Sequence, residues 1–411
     1  VTLLLDTFIE DARGVSIKQA AERLHLKFRQ SGVEHPQTCP ACGGKDRFSF
    51  NTSKNKWHCR GDGVGGQDAI GMAAHVLGLD LKRRKDFLDA CAAVTGEAIP
   101  AGEEQASDVE RAEREARLAE QRRRNAEDDA RHEAQQQDFR ERERRKARGI
   151  VEAATPLAIL ARSPAHSYIH KRGGQVPGSL WLRFSNAQPY WHGQGGGNDG
   201  PLFEGPAMVA PFIDASLSII GCHITWIDLY NPPKYRPLVT DVATGAALPS
   251  KKMRGSKKGG LIPLAGRPSA ERWVGGEGIE NGLAFGAWEC FREDTFYFAA
   301  GDLGNLAGPA ELSSRFAHPT LTRPDKAGRE RPVMVAGPVP KACQAPDDAM
   351  FVLPHVTELV FLADADSERV MTAAAMARAR ARCHADGRRI LVLWPKRGRD
   401  FSELALEFEQ D

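Results

Sequence analysis

The alternation of apolar and polar positions divides the 411 residues into four stretches of different character. In the first, 1–100, apolar positions recur at helical spacing through "SIKQAAERLHLKF", with Ser16 standing where an N-cap belongs. "QDAIGMAAHVLGL" and "RRKDFLDACAAVTG" predict two further helices after a Cys/Gly-rich segment from Cys39 to Gly66. The second stretch is dominated by charge: 103–149 holds 14 acids and 13 bases, with Phe139 its single aromatic residue. Glu110–Arg114, Glu113–Arg117, Glu120–Arg124 and Glu127–Arg131 are acid-before-base pairs at i,i+4. Ala, Arg, Glu and Gln dominate and Pro is absent, so the pattern predicts a long solvated helix over a disordered charged linker.

The third stretch, 155–268, is mixed and rich in turns. "AMVAPFID", "SIIGCHITWIDL" and "GGLIPL" predict strands between Gly and Pro punctuation. The fourth alternates strand and helix: "RWVGGEG", "TFYFAAG", "ELVFLADAD" and "RILVLWP" are strands, "IENGLAFGAWECF" and "SERVMTAAAMARARARCHAD" helices. That order predicts a parallel α/β sheet. The Pro-rich run from Ala307 to Pro354 reads as loop. The expected chain is therefore a multidomain α/β protein: a small domain at 1–100, a charged helical linker at 101–154, an α+β segment at 155–268, and a Rossmann-like sheet at 269–411.

Composition narrows this picture in two ways. The net charge is only +2, so nucleic-acid binding has to come from local basic patches. Of eight cysteines three cluster and five are scattered, which suits a reducing cytosol and one metal site better than a disulfide framework. The opening "VTLLLDTFIEDARG" is too short to span a membrane and has no basic lead, so neither a signal peptide nor a membrane helix is expected, and a cytoplasmic location is.

The cysteine cluster reads "CPACGGKDRFSFNTSKNKWHCRGDG". Cys39 and Cys42 form one knuckle and Cys59 opens a second, the spacing of a zinc ribbon. A fourth ligand is expected at position 62, which is Asp62. An aspartate can ligate zinc, and His35, four residues before Cys39, is the alternative. Arg47, Phe48 and Trp57 lie between the knuckles. They read either as the ribbon's small core or as a stacking and phosphate-contact surface for single-stranded DNA.

Two strands in the last stretch end in acids. "ELVFLADADSERV" delivers Asp364 and Asp366 at a strand tip, and "RWVGGEG" delivers Glu277. A third strand leads to Asp400. In a parallel sheet the carboxyl ends share one edge, where ligands bind. Clustered carboxylates there expect a hard cation, Mg²⁺ or Mn²⁺, arriving with phosphates. Alone, "DADSE" would also serve as a helix N-terminus. "SKKMRGSKKGG" adds Lys251, Lys252, Arg254, Lys257 and Lys258, in a run without any acid between Asp241 and Glu271, and reads as a phosphate-tracking ridge.

Taken in this order, zinc ribbon, linker, basic segment and the motifs "GGEGIENGLA", "FLADADSERV" and "GRDFSEL" resemble the DNA primases of bacteria, phages and mobile elements, whose last domain is a Toprim domain. The resemblance implies template-directed RNA primer synthesis by nucleotidyl transfer. Glu277, Asp364, Asp366 and Asp400 would be the catalytic acids, with Mg²⁺ or Mn²⁺ on the first three. The lysines and Arg254 would contact template and nucleoside triphosphates, and zinc would be structural. Three positions depart from the pattern: Asp62 replaces a cysteine, while Asn281 and Ser402 stand where replicative primases often carry acids. No G-x-x-x-x-G-K-[ST] motif occurs, so a separate helicase would open the duplex. A Toprim nuclease and a DNA-binding adaptor with a decayed site are the rival readings.

Overall fold

The structure, a computed structural model, describes residues 3–29, 32–100, 108–178, 181–192, 200–325, 329–364, 368–395 and 399–408. The chain divides into two compact units, Val1–Asp138 and Phe139–Asp411.

In the first unit, helices α1 (Leu3–Gly14) and α2 (Ile17–Arg23) precede four short strands: β1 (Glu34–Cys39), β2 (Gly43–Asn51), β3 (Lys56–Cys59) and β4 (Val64–Gly66). The strands form one antiparallel sheet in chain order. Helices α3 (Ala69–Leu77) and α4 (Arg84–Thr95) follow. Ser16 caps α2 as its sequence requires: its hydroxyl accepts from the Gln19 N–H at 3.2 Å, and the Gln19 side chain accepts from the Ser16 N–H at 3.0 Å. Gly78 ends α3 and Gly96 ends α4, both in the left-handed conformation glycine adopts without strain. One core joins the elements, with Phe8 and Ala12, Ile17 and Ala20, Met72 and Ala73, and Cys91 and Val94 closing around Phe48, Phe50 and Trp57 of the sheet.

A helix of 46 residues, α5 (Asp108–Ala153), contains the boundary between the units. Its end departs from the solvated helix expected. Ala147 and Val151 are buried, packed with Ala154 against Tyr190, Cys222 and Trp226. Small apolar residues there replace the charged repeat, so the last turns belong to a core.

The second unit begins with β5 (Thr155–Pro156), α6 (Pro164–Lys171), β6 (Arg183–Tyr190), β7 (Phe203–Ile213) and β8 (Ile219–Trp226). A small ribbon of β9 (Val239–Thr240) and β10 (Ala247–Leu248) leads to β11 (Lys251–Gly255). Strands β5 to β8 and β11 make an antiparallel sheet of order β11-β8-β7-β6-β5. The basic run is thus in part a strand. Next come β12 (Ile262–Ala265), β13 (Arg272–Gly276), α7 (Ile279–Trp288), β14 (Thr295–Ala299) and α8 (Leu303–Ala307). The run expected as loop contains a hairpin, β15 (Phe316–Pro324) with β16 (Glu330–Val335). Strand β17 (Glu358–Leu362), helix α9 (Arg369–Arg382), strand β18 (Arg389–Leu393) and helix α10 (Phe401–Phe408) complete it.

The second sheet has the order β12-β14-β13-β17-β18, with β13, β14, β17 and β18 parallel and β12 antiparallel at the edge. Since β12 belongs to it, the sheet begins before the expected boundary at 268. Both faces are covered, which explains the unbroken apolar runs. Val274, Val360 and Leu362 face Ile279, Leu283 and Phe285. Trp273, Leu359 and Phe361 face Ala375, Met376 and Ala379. Gly275 and Gly276 are closely embraced: a side chain at Gly275 would meet the Phe298 ring at 2.7 Å, so only glycine lets β13 sit between its neighbours just before Glu277. Among the described residues, no helix is long and apolar enough to cross a membrane.

Candidate metal centre and candidate active site

The first unit brings three thiols and an imidazole together. Strand β1 ends on Cys39, Cys42 lies in the turn before β2, and Cys59 ends β3. The Cys42 N–H points at Cys39 Sγ, 3.4 Å away, as a knuckle requires. Cys59 Sγ lies 3.4 Å from Cys42 Sγ and 3.6 Å from Cys39 Sγ. The fourth atom is Nε2 of His75 on α3, 3.2 Å from Cys39 Sγ. Zinc bonds of ~2.3 Å to tetrahedral sulfurs place those sulfurs ~3.8 Å apart, so the spacing suits that ion. Burial opposes ionisation of Cys59, but the backbone at Asp62 and Gly61 and the two neighbouring thiols outweigh it and hold the thiol below its usual range. The cluster can hold zinc with its three sulfurs and a fourth donor from His75 or Asp62, which fall in two overlapping groups, Cys39–Cys59–His75 and Cys42–Cys59–Asp62.

The expected fourth ligands fare differently. Asp62 is close, its Oδ2 3.9 Å from His75 Nε2, and it groups with Cys42 and Cys59, yet its side chain is 45% exposed against 10% for His75. His35 is not in the cluster: it is buried among Phe28 and Phe50, and its Nδ1 accepts from the Arg29 N–H at 3.1 Å. His75 was not legible as a ligand, because one histidine in an apolar helix reads as core. Its ring is held there by stacking on Phe48 and Trp57, with centroids 6.0 and 5.3 Å away. This decides the role of those aromatics. Phe48 and Trp57 are buried and the Trp57 indole N–H donates to the Asp68 carbonyl, so they are core and cannot stack on bases. Arg47 is half-buried, and its carbonyl accepts from the Arg60 N–H at 2.7 Å.

In the second unit a cavity of about 350 Å³ opens at the carboxyl ends of the parallel strands. Glu277 follows β13, Asp364 follows β17 and Asp400 lies beyond β18; all three line it. Asp366 lies outside the described residues. Asp400 is buried and takes the N-cap of α10, its Oδ1 accepting from the Glu403 N–H and the Ser402 hydroxyl, each at 2.7 Å. Asn281 and Ser402, two positions where acids were expected, meet each other: the Asn281 side-chain oxygen accepts from the Ser402 N–H at 3.3 Å.

The same cavity also has a basic lining: Arg172, Lys234, Arg236 and Lys251, with His223 beside them. The register explains which basic residues of the ridge take part. Lys251 pairs with Thr225 and Met253 with His223, so these four share one face of the antiparallel sheet. Lys252 and Arg254 take the other face with Ile224 and Cys222. Lys252 lies over the Tyr190 ring at 3.6 Å and donates to the Trp191 carbonyl. Lys257 pairs with Asp302, and Lys258 is exposed. Of the five, Lys251 alone is among the residues lining the cavity.

One acid stands among these cations. Oε1 of Glu280, in the first turn of α7, accepts from the Tyr168 hydroxyl at 2.6 Å and Lys251 Nζ at 2.7 Å, with Arg236 Nη2 at 3.7 Å. Arg236 Nε also donates to the Tyr168 oxygen at 3.2 Å. Burial would raise the Glu280 pKa, but Lys251 and Arg236 outweigh it and hold the carboxyl well below its usual range. His223 is brought down to about 4, first by burial and then by Lys251, so its imidazole is neutral at pH 7. Glu280 lies within the run "GGEGIENGLA", but the signal there falls on Glu277, and an acid opening a helix reads as a response to the helix dipole.

A family described as "Domain of unknown function (DUF7146)" matches residues 141–264. No curated protein matches the chain. Among solved structures, the zinc-binding and RNA polymerase domains of the Aquifex aeolicus primase align over 99% of this chain and 83% of that one, at 16% identity and a TM-score of 0.34. A DNA primase domain from Pseudomonas aeruginosa aligns over 64% of this chain and 74% of that one, at 13% identity and the same TM-score of 0.34. Superposition at that level carries no argument about fold or activity.

Proposed function

We propose that the chain is a DNA primase that makes short RNA primers on single-stranded DNA. One observation carries the reading: Glu277 and Asp364, from neighbouring parallel strands 87 residues apart in sequence, line one cavity together with Arg172, Arg236 and Lys251. Carboxylates and cations in one cavity suit phosphoryl transfer: the acids can hold a divalent ion and the cations the anion it works on.

Glu277 and Asp364 offer hard oxygen donors, which fits Mg²⁺ or Mn²⁺, and Asp366 would join them as the resemblance implies. When bound, such an ion neutralises charge developing on the phosphate oxygens. The chain's own groups do the rest. Lys251, Arg236 and Arg172 draw in and orient the triphosphate. A primer 3′-hydroxyl then attacks the α-phosphorus, a new P–O bond forms, the bond to pyrophosphate breaks, and the hydroxyl proton passes to solvent. Asp400, occupied as a cap, shapes the loop after β18 and acts on the reaction only through that loop.

On this reading the parallel sheet with β12 at its edge and its helices are a Toprim domain, zinc stabilises the first unit, single-stranded DNA and nucleoside triphosphates are the ligands, and a separate helicase supplies the template in the cytoplasm. Zinc binding does not require a fourth cysteine here, since His75 or Asp62 can supply the remaining donor. The test is de novo oligoribonucleotide synthesis on varied single-stranded templates with Mg²⁺ or Mn²⁺. Product that depends on template and disappears in Asp364→Ala supports the proposal. Absence of product with every template and metal contradicts it, and metal-dependent DNA cleavage without nucleotide would favour a nuclease instead.

A further inference from the structure

The basic lining contains its own counter-ion, and its placement suggests a job. The cavity is lined by four acids and four cations. Three acids, Glu277, Asp364 and Asp400, stand at strand ends. The fourth, Glu280, points into the basic group, and a single oxygen receives Lys251 and Tyr168 while facing Arg236. That carboxylate already neutralises part of the positive charge that would hold an anion. Lys251 is 29% and Arg236 17% exposed, so both reach the cavity from their places beside Glu280. An anion that enters must share these two cations with a fixed negative charge a few ångströms away, in a poorly screened site.

We infer that Glu280 is a built-in counter-charge that weakens the hold of Lys251 and Arg236 on a polyphosphate anion, so that the product pyrophosphate is released. The inference rests on the primase reading only for the identity of that anion. Without Glu280 the two cations would repel each other when the cavity is empty and would grip a multiply charged product when it is full. With it, the lysine and arginine are held in place before substrate arrives and the product is let go.

The inference reverses the sign expected of a purely structural ion pair. Inorganic pyrophosphate is titrated into the full-length, zinc-loaded chain by calorimetry, with no nucleotide, template or added divalent ion. Glu280→Gln keeps the size and the acceptor oxygen and removes the charge. The variant is expected to bind pyrophosphate at least about tenfold more tightly than wild type, with a steeper loss of affinity on adding salt. Equal or weaker binding in a variant with an unchanged circular dichroism spectrum overturns the inference, as does a wild type and variant that both fail to bind. If Glu280→Gln does not fold, Glu280→Asp draws the charge back from Lys251 and must bind pyrophosphate more tightly than wild type by a smaller factor; unchanged affinity overturns the inference there too. The two proposals fail separately. Primer synthesis with no change in pyrophosphate affinity removes the role of Glu280 alone, whereas tighter binding in a chain that makes no primer removes the primase reading alone.

Discussion

Cys39 Sγ and His75 Nε2 lie 3.2 Å apart although they are 36 residues apart in sequence and belong to a strand and a helix. A metal bound there ties α3 to the ribbon and so joins two elements that share one core. His75→Ala should lower zinc affinity by roughly 100-fold or more, since even outer partners of a ligand contribute ten- to a hundredfold. Asp62→Ala should change it by less than about tenfold. Zinc content of the purified variants, with X-ray absorption to count sulfur and nitrogen neighbours, checks both. Equal zinc loss in the two variants would show that Asp62 shares the ligand position.

Phe48 decides between the two roles its sequence left open. It is fully buried against Phe50, Trp57 and His75. Phe48→Ala should destabilise the first unit by about 3–5 kcal/mol, as removal of a core phenylalanine does. Urea dependence of amide hydrogen exchange in the first unit, read by mass spectrometry, measures this. A fully stable variant with reduced affinity for single-stranded DNA would mean the ring is an exposed platform after all.

Adjacent lysines should behave differently. Lys251 faces the cavity and Glu280, while Lys252 lies on the opposite face over Tyr190. Lys251→Met should weaken nucleoside triphosphate binding by about tenfold or more, the loss of one charge-assisted contact. Lys252→Met should leave it within about twofold. Equilibrium binding of a fluorescent ATP analogue distinguishes them.

Acid sensitivity should trace in part to His223. Its folded pKa is lowered from 6.5 to about 4, so the unfolded chain binds a proton that the folded chain does not between those values. Stability from this residue is therefore complete above pH 6.5 and is lost as pH falls toward 4, with a total on the order of 3 kcal/mol. The difference in unfolding free energy between wild type and His223→Asn should shrink over that window. A difference independent of pH would mean the imidazole is already charged in the folded protein.

The scaffold of the candidate site was readable because its strands are buried on both faces. Val274, Val360 and their neighbours make uninterrupted apolar runs, and the turn from each run to an acid marks a strand end. What escaped reading shares a different cause. The strand β11 is "KKMRG", whose two lysines are satisfied by Glu280 on one side and by Tyr190 and Trp191 on the other, contacts that no local pattern announces. The hairpin of β15 and β16 is mostly exposed and carries no alternation. His75 and Glu280 matter through partners distant in sequence, at Cys39 and at Tyr168 and Lys251, and only the folded chain brings those partners together.

The central claim is that carboxylates from separate strands share one divalent ion. The most direct measurement is a Mn²⁺ titration of the zinc-loaded full chain by electron paramagnetic resonance, wild type against Glu277→Gln/Asp364→Asn. Stoichiometric binding in wild type, weakened by on the order of tenfold or more in the double variant, is the expected result. Equal Mn²⁺ affinity in the two proteins would contradict the account.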